Sequence, residues 1–149
     1  MIVPVEPTAA SLLAALHASA FADPWDAGAF SALLAAPGAF ALACEEGEAP
    51  AGFVLARVAA DEAEILTLAV LPARRRHGVG RALVKATAAR VGLLGARALL
   101  LEVAEDNATA RQLYAALGFR QVGRRDGYYA RPGATAAAAL VLKLDLPRV

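Results

Sequence analysis

The sequence predicts a single α/β domain on a mixed, twisted sheet, with an antiparallel run of strands followed by a parallel strand, helix, strand unit. Three observations carry that expectation. The chain has 149 residues, 58% of them apolar, the size of one ordinary domain with a continuous core. Residues 39–70 hold three strand-length apolar runs with tight turns between them, the pattern of an antiparallel meander. Residues 64–103 then read as strand, glycine loop, amphipathic helix and strand, an order that makes the two strands a parallel pair with a right-handed crossover.

Composition narrows the function classes. Net charge is +1, and 13 arginines stand against two lysines, so positive charge is local, at residues 74–76 and 120–131. Nucleic acid is disfavoured as a partner, because basic residues do not alternate with aromatic ones. The single cysteine, Cys44, excludes an internal disulfide and reads as a small core side chain in an apolar strand. No His, Cys and carboxylate cluster has metal-ligand spacing, and no signal segment or membrane-length apolar span is evident. A cytoplasmic protein without a membrane partner is the expectation.

From the start of the chain, Ile2 to Val5 suits a first strand. Pro7 and Thr8 suit a helix start, and Leu12, Leu13, Leu16 and Ala20 recur at helical spacing up to Phe21. His17, on this helix, reads as a surface or half-buried residue. Asp23 to Asp26 breaks the helix; Asp26 caps a second one through Leu34, and Pro37-Gly38 ends it. Phe21, Trp25 and Phe30 are expected to pack together around that turn. Strands follow over Ala39 to Glu45, Ala51 to Ala59 and Glu62 to Val70, with turns at Glu46-Gly47 and Ala60-Asp61.

The next stretch carries the clearest chemical signal. Arg74, Arg75 and Arg76 lead into His77, Gly78, Val79 and Gly80, and a helical pattern begins at once. A helix N-terminus offers unpaired N–H groups and partial positive charge, and glycines let a phosphate approach the backbone, so the loop should hold a phosphate-bearing ligand. It lacks the lysine-Ser/Thr end of a nucleoside-triphosphatase loop, and Val84 stands where a dinucleotide fingerprint needs its third glycine. Leu83, Thr87, Val91 and Leu94 form one face of the following helix, and Gly95 terminates it. Ala98 to Val103 is a strand covered on both faces, interrupted by Glu102. A carboxylate in such a run is expected to be desolvated, which raises its pKa, or else to pair with a nearby arginine. Asn107 caps a last helix with Ala110, Leu113, Tyr114 and Leu117 inward and Gly118 as its stop. Phe119 to Arg125 and Ala136 to Leu144 complete the strands, the alternating leucines outweighing the helical propensity of four alanines.

The pattern R-x-x-G-x-G across Arg75, Gly78 and Gly80 resembles the acetyl-CoA-binding motif of the GNAT superfamily of N-acetyltransferases. Glu-x4-Asn-x6-Tyr-x3-Gly-Phe, from Glu102 through Phe119, is similar to a segment of the bacterial ribosomal-protein-alanine N-acetyltransferases. Pro24-Trp25, Leu68-Ala69-Val70 and Tyr128-Tyr129 fit that family in order and nearly in spacing. The resemblance implies a sheet of about seven strands with about four helices, its fourth and fifth strands splayed around acetyl-CoA. It also implies Glu102 as general base and Tyr114 as the acid that meets the leaving thiolate. Backbone groups of Leu68, Ala69 and Val70 would hold the pantetheine arm, with Asn107 on its other side. The pyrophosphate would rest on the amides from Arg76 to Arg81, Arg75 standing at the rim. Trp25, Tyr128, Tyr129 and Arg131 would surround the acceptor.

The acceptor implied is a protein or peptide N-terminus; a small amine and a non-catalytic acyl-CoA- or nucleic-acid-binding module using Arg74 to Arg76 stand as alternatives. The family usually has an acidic residue before its last strand, where this chain has Ala134 and Thr135. With Arg131 beside a Gly133-Ala134 turn, the residue types suit an acceptor carrying some negative charge.

Overall fold

In the computed structural model, residues 1–130, 133 and 136–148 are described. Seven strands form one mixed sheet in the order β1-β2-β3-β4-β5-β7-β6. They are β1 (Ile2–Pro4), β2 (Ala39–Glu46), β3 (Ala49–Ala59), β4 (Glu62–Val70), β5 (Ala98–Ala104), β6 (Arg120–Tyr129) and β7 (Ala137–Asp145). The helices are α1 (Ala10–Ala20), α2 (Ala27–Ala35), α3 (Val79–Leu93) and α4 (Ala108–Ala116). Every strand pair is antiparallel except β4 and β5, which run parallel.

Helices cover both faces of the sheet. On one, Leu83, Val84 and Val91 of α3 and Tyr114 of α4 pack on Val54, Ile65, Leu99, Leu101 and Leu140. On the other, Leu13 and Leu16 of α1 and Phe30 of α2 pack on Ala41, Phe53, Leu55 and Ala69. Strand alternation sends successive residues to opposite faces, so one sheet feeds two apolar clusters. Among the described residues no helix is long and apolar enough to cross a membrane.

Several details depart from the sequence reading. Pro7–Ala9 is a 3-10 turn and α1 begins only at Ala10. Leu94, expected on the buried face of α3, lies beyond the helix and is 57% exposed. β6 runs on past its expected end at Arg125 to Tyr129, so Tyr128 and Tyr129 belong to the strand. Pairing extends it: register shifts after Gln121 and Arg125 let β6 follow β7 as far as Tyr129↔Ala137. The alanines of β7 are strand because β5 and β6 bond to it on both sides; Ala138 and Ala139 are almost fully buried there. Tertiary pairing outweighs their helical propensity.

His17 is neither at the surface nor half-buried: it is 2% exposed. Its Nε2 lies 3.1 Å from Thr67 Oγ1 on β4, and its Nδ1 accepts the backbone N–H of Trp25 at 3.0 Å. An accepting Nδ1 requires the neutral ring with its proton on Nε2, which leaves Nε2 to donate to Thr67. Phe21 and Trp25 stack against it and Phe30 meets it edge-on, which is the aromatic cluster the sequence predicts, with a histidine at its centre. Burial lowers the His17 pKa. The folded value then lies below the unfolded one, so the unfolded chain binds more protons and stability is lost as pH falls below about 6.5. Thermal melts between about pH 7.5 and about pH 5.5 should show a falling midpoint, and a smaller fall in His17→Gln. Equal slopes in the two proteins would remove His17 as the cause.

Candidate active site

The phosphate loop takes the conformation its residues suggest. A 3-10 turn over Pro72–Arg74 leads out of β4, and Arg76 (φ 67°) and Gly78 (φ 80°) both adopt left-handed backbone angles. α3 starts at Val79 with Gly78 as its N-cap and no side-chain cap. The first bond back to the cap residue comes from the Ala82 N–H to the Gly78 carbonyl. The N–H groups of Val79, Gly80 and Arg81 therefore precede the helical ladder and point from a positive helix end, a concave set of donors suited to an anion. Arg75 Nε donates to the Val70 carbonyl (3.4 Å), and Arg74 pairs with Glu46 (3.2 Å).

Gly80 looks onto the space between β4 and α4. A Cβ there would lie 3.4 Å from Leu113 Cδ2 and 3.8 Å from Val70 Cγ2, ordinary contacts that alanine could make. Valine would push methyl groups further into that space and over the amides. Gly80→Val is expected to weaken acetyl-CoA binding about tenfold with little change in melting temperature. Isothermal titration calorimetry on the two proteins checks this; equal affinities would remove the loop from the cofactor site.

Beside this loop the sheet opens. The β4–β5 ladder covers Glu62↔Ala98 to Glu64↔Leu100 and ends there. β4 continues to Val70 paired with β3, and β5 continues to Ala104 paired with β7. A bulge helps to turn β4 away: Ala56 is opposite Ile65 and Leu55 opposite Thr67, so Leu66 is the extra residue. Past the last rung, the inner edges of Leu68, Ala69 and Val70 on one side and of Leu101 to Ala104 on the other are left without a strand partner between them.

Glu102 and Tyr114 approach this opening from opposite faces. Leu101 and Val103 pack with α3 and α4, so alternation turns Glu102 to the α1–α2 side. Its carboxylate, 22% exposed, is 3.2 Å from Arg125 of β6. The lone desolvated carboxylate considered from sequence is thus an ion-paired one. Tyr114 is 7% exposed on the other face, its ring edge-on to Phe119 at 5.6 Å. Burial pushes its phenol up to about 12, so it keeps its proton throughout the neutral range. Asn107 caps α4 by accepting the Ala110 N–H at 3.2 Å. Arg124 steadies the turn before that helix, reaching both Glu105 and Asp126 at 2.6 Å, while Arg111 donates to the Glu105 carbonyl.

Of the acceptor residues named from sequence, Tyr128 and Tyr129 touch edge to face at 5.0 Å, and Arg125 lies over the Tyr128 ring at 5.2 Å. Arg125 therefore links that pair to Glu102. Trp25 is held through His17 to Thr67, next to Leu68 on β4. Arg131 and Ala134 lie outside the described residues. Sequence reasoning missed Arg125, His17 and Glu64. Glu64 was legible in principle, since alternation along β4 sets it opposite Arg57 and on the Glu102 side.

Residues 11–119 match the sequence model of the acetyltransferase (GNAT) family. The chain belongs to that family. It is 36% identical over 120 residues to the N-alpha-acetyltransferase RimI of Mycobacterium tuberculosis, covering 76% of this chain and 73% of that protein. An uncharacterized protein of Mycobacterium leprae is 36% identical over 118 residues, but the match spans only 32% of its length. The crystal structure of the Escherichia coli ribosomal-protein-S18-alanine N-acetyltransferase superposes with a TM-score of 0.92 at 28% identity, over 100% of this chain and 95% of that one. Arabidopsis thaliana NAA60, solved in complex with acetyl-CoA, shares the fold with a TM-score of 0.79 at 22% identity, over 97% of each chain. The GNAT fold, with its parallel β4–β5 pair, is thus the fold the sequence predicts.

Proposed function

We propose that this protein transfers the acetyl group of acetyl-CoA to the N-terminal α-amine of a protein or peptide, by direct attack within a ternary complex. The observation that carries the reading is the opening between β4 and β5, with an anion-ready helix end at its mouth, Glu102 on one face and Tyr114 on the other. Two relatives support the substrate class: one is an N-alpha-acetyltransferase, the other a ribosomal-protein-S18-alanine N-acetyltransferase.

The residues fit acetyl-CoA. Amides from Arg76 to Arg81 would receive its pyrophosphate, Arg75 would stand at the rim, and the backbone groups from Leu68 to Val70 that face the opening would bond the pantetheine arm and polarise the thioester carbonyl. Asn107 would meet the arm from α4. Acetyl-CoA supplies an activated acyl carbon and a thiol leaving group. Glu102 would take a proton from the incoming ammonium so that the neutral nitrogen could attack the thioester carbon, and the second proton, shed as that nitrogen becomes an amide, would pass to water or to the departing thiolate. As the carbon–sulfur bond breaks, Tyr114 donates a hydrogen bond to the departing sulfur. With a phenol near 12 and an ordinary thiol near 8.5, complete proton transfer is uphill, so Tyr114 chiefly stabilises the developing thiolate.

Amine basicity favours an N-terminus over lysine. An α-amine of pKa about 7.7 to 8.0 is roughly a tenth neutral at pH 7, whereas a lysine of about 10.4 is neutral in fewer than about one molecule in a thousand. A single carboxylate base beside an arginine suits the easier deprotonation. Trp25, Tyr128, Tyr129 and Arg131 would frame the acceptor.

The test is mass spectrometry of alanine-starting peptides incubated with acetyl-CoA, each with a blocked-N-terminus copy that retains a lysine. Acetylation of the free α-amine alone is the expected result; equal acetylation of the blocked copy would overturn it. A small-amine panel run alongside separates the alternative acceptor class, and pairing acidic with neutral second residues decides whether the acceptor's charge matters.

A further inference from the structure

Next to Glu102 the α1–α2 face of the sheet is left open, and charged side chains from neighbouring strands cross it in a row. Arg57 on β3 is directly opposite Glu64 on β4, and Glu64 is opposite Leu100 on β5. Glu102 follows two residues along β5 on the same face, and Arg125 of β6 pairs with it at 3.2 Å. Arg57, Glu62, Glu64 and Glu102 line one open cavity of about 310 Å³. Across β7 the same face carries Val141, opposite Glu102, and Lys143, opposite Leu100.

The signs along this row run plus, minus, minus, plus. The outer cations offset the inner pair only in part: Arg57 directs its Nε to the Pro37 carbonyl at 3.3 Å, and Arg125 pairs with Glu102. Among the described residues no salt bridge holds Glu64. A carboxylate is thus set beside the candidate base with no ion-pair partner of its own. Like charges side by side make each carboxylate bind a proton more tightly.

We propose that Glu64 is a positioning residue for catalysis, its negative charge in the shared cavity strengthening Glu102 as the acceptor of the substrate ammonium's proton. This rests on the reading of Glu102 as general base. An unassisted glutamate near 4.3 faces an ammonium near 7.7 to 8.0, a gap of about 3.5 units, so any rise in its basicity favours the forward transfer. The proton goes from the ammonium nitrogen to Glu102 and leaves through the open cavity to water. Burial first, then the charge of Glu102, pushes the Glu64 carboxyl above its ordinary range, while Arg125 and Arg57 draw it down.

The experiment is a carbon-13 NMR titration of labelled glutamate side chains in the wild type, Glu64→Gln and Glu64→Asp, beside kcat-against-pH profiles on an alanine-starting peptide. Glu64 is open to solvent, which screens the coupling, so the Glu102 midpoint is expected to fall only slightly in Glu64→Gln. The acidic limb of kcat should follow it, and Glu64→Asp, which restores the charge, should return both toward wild type. An unmoved Glu102 midpoint in folded Glu64→Gln, or a moved midpoint with an unmoved limb, overturns the proposal. Glu102→Gln is run in parallel. If it moves the limb up to the amine's own pKa of about 7.7 to 8.0 while Glu64→Gln leaves it in place, only the role of Glu64 falls; if it leaves the limb where the wild type has it, the base reading falls and this one with it.

Discussion

Glu102→Gln is expected to lower kcat about twentyfold near pH 6.5 and far less near pH 9, leaving acetyl-CoA affinity near wild type. Glutamine keeps the size of the side chain and an oxygen for Arg125, so the change removes the proton acceptor and one charge while sparing the packing of β5. At low pH nearly every acceptor amine is an ammonium and needs the base. Above its pKa of about 7.7 to 8.0 the amine is already neutral, and the base loses its advantage. Affinity should hold because Glu102 faces the α1–α2 side, whereas the donors from Val79 to Arg81 belong to α3 on the other. Steady-state rates across pH, together with calorimetric titration of acetyl-CoA, measure both quantities. A profile parallel to wild type would take Glu102 out of the base role.

The largest expected loss of stability comes from Gly38→Ala. Gly38 turns the chain from α2 into β2 with φ of 79°, and a Cβ there would lie 2.1 Å from the Val58 carbonyl oxygen. That carbonyl is backbone in a paired strand, and the Val58 N–H donates to the Gly38 carbonyl at 2.9 Å, so neither side can move without breaking β3 or the turn. Left-handed strain and the clash together should cost about 3 kcal/mol, near the upper end for a single substitution. For a domain of this length that lowers the melting temperature by about 10 °C. The site lies away from the β4–β5 opening, so the folded fraction should keep its turnover. A melting temperature within about 2 °C of wild type would show that the turn relaxes freely.

Much of this was legible one element at a time. The bounds of β4, Glu62–Val70, coincide with the sequence reading because turn residues stand at both ends. Asp26 and Asn107 cap their helices as expected, accepting the Ala29 and Ala110 N–H groups. A side chain three residues from its partner amide needs nothing from the rest of the fold. His17 was misjudged for the opposite reason. Nothing near it in the chain announces that Thr67 will supply one partner, or that the turn at Trp25 will fold back to supply the other.

The chain alone determined the order of helices and strands, the glycine loop at the mouth of α3, and the carboxylate and phenol carried at Glu102 and Tyr114. Those features follow from side-chain periodicity and backbone preference, which act over a few residues. Only the tertiary structure decided that β7 enters between β5 and β6 and that Arg125 reaches Glu102. It alone set Glu64 into the same cavity, a juxtaposition of strands remote from one another in the chain. Charge interactions depend on distance in space, and that distance exists only once the strands have paired.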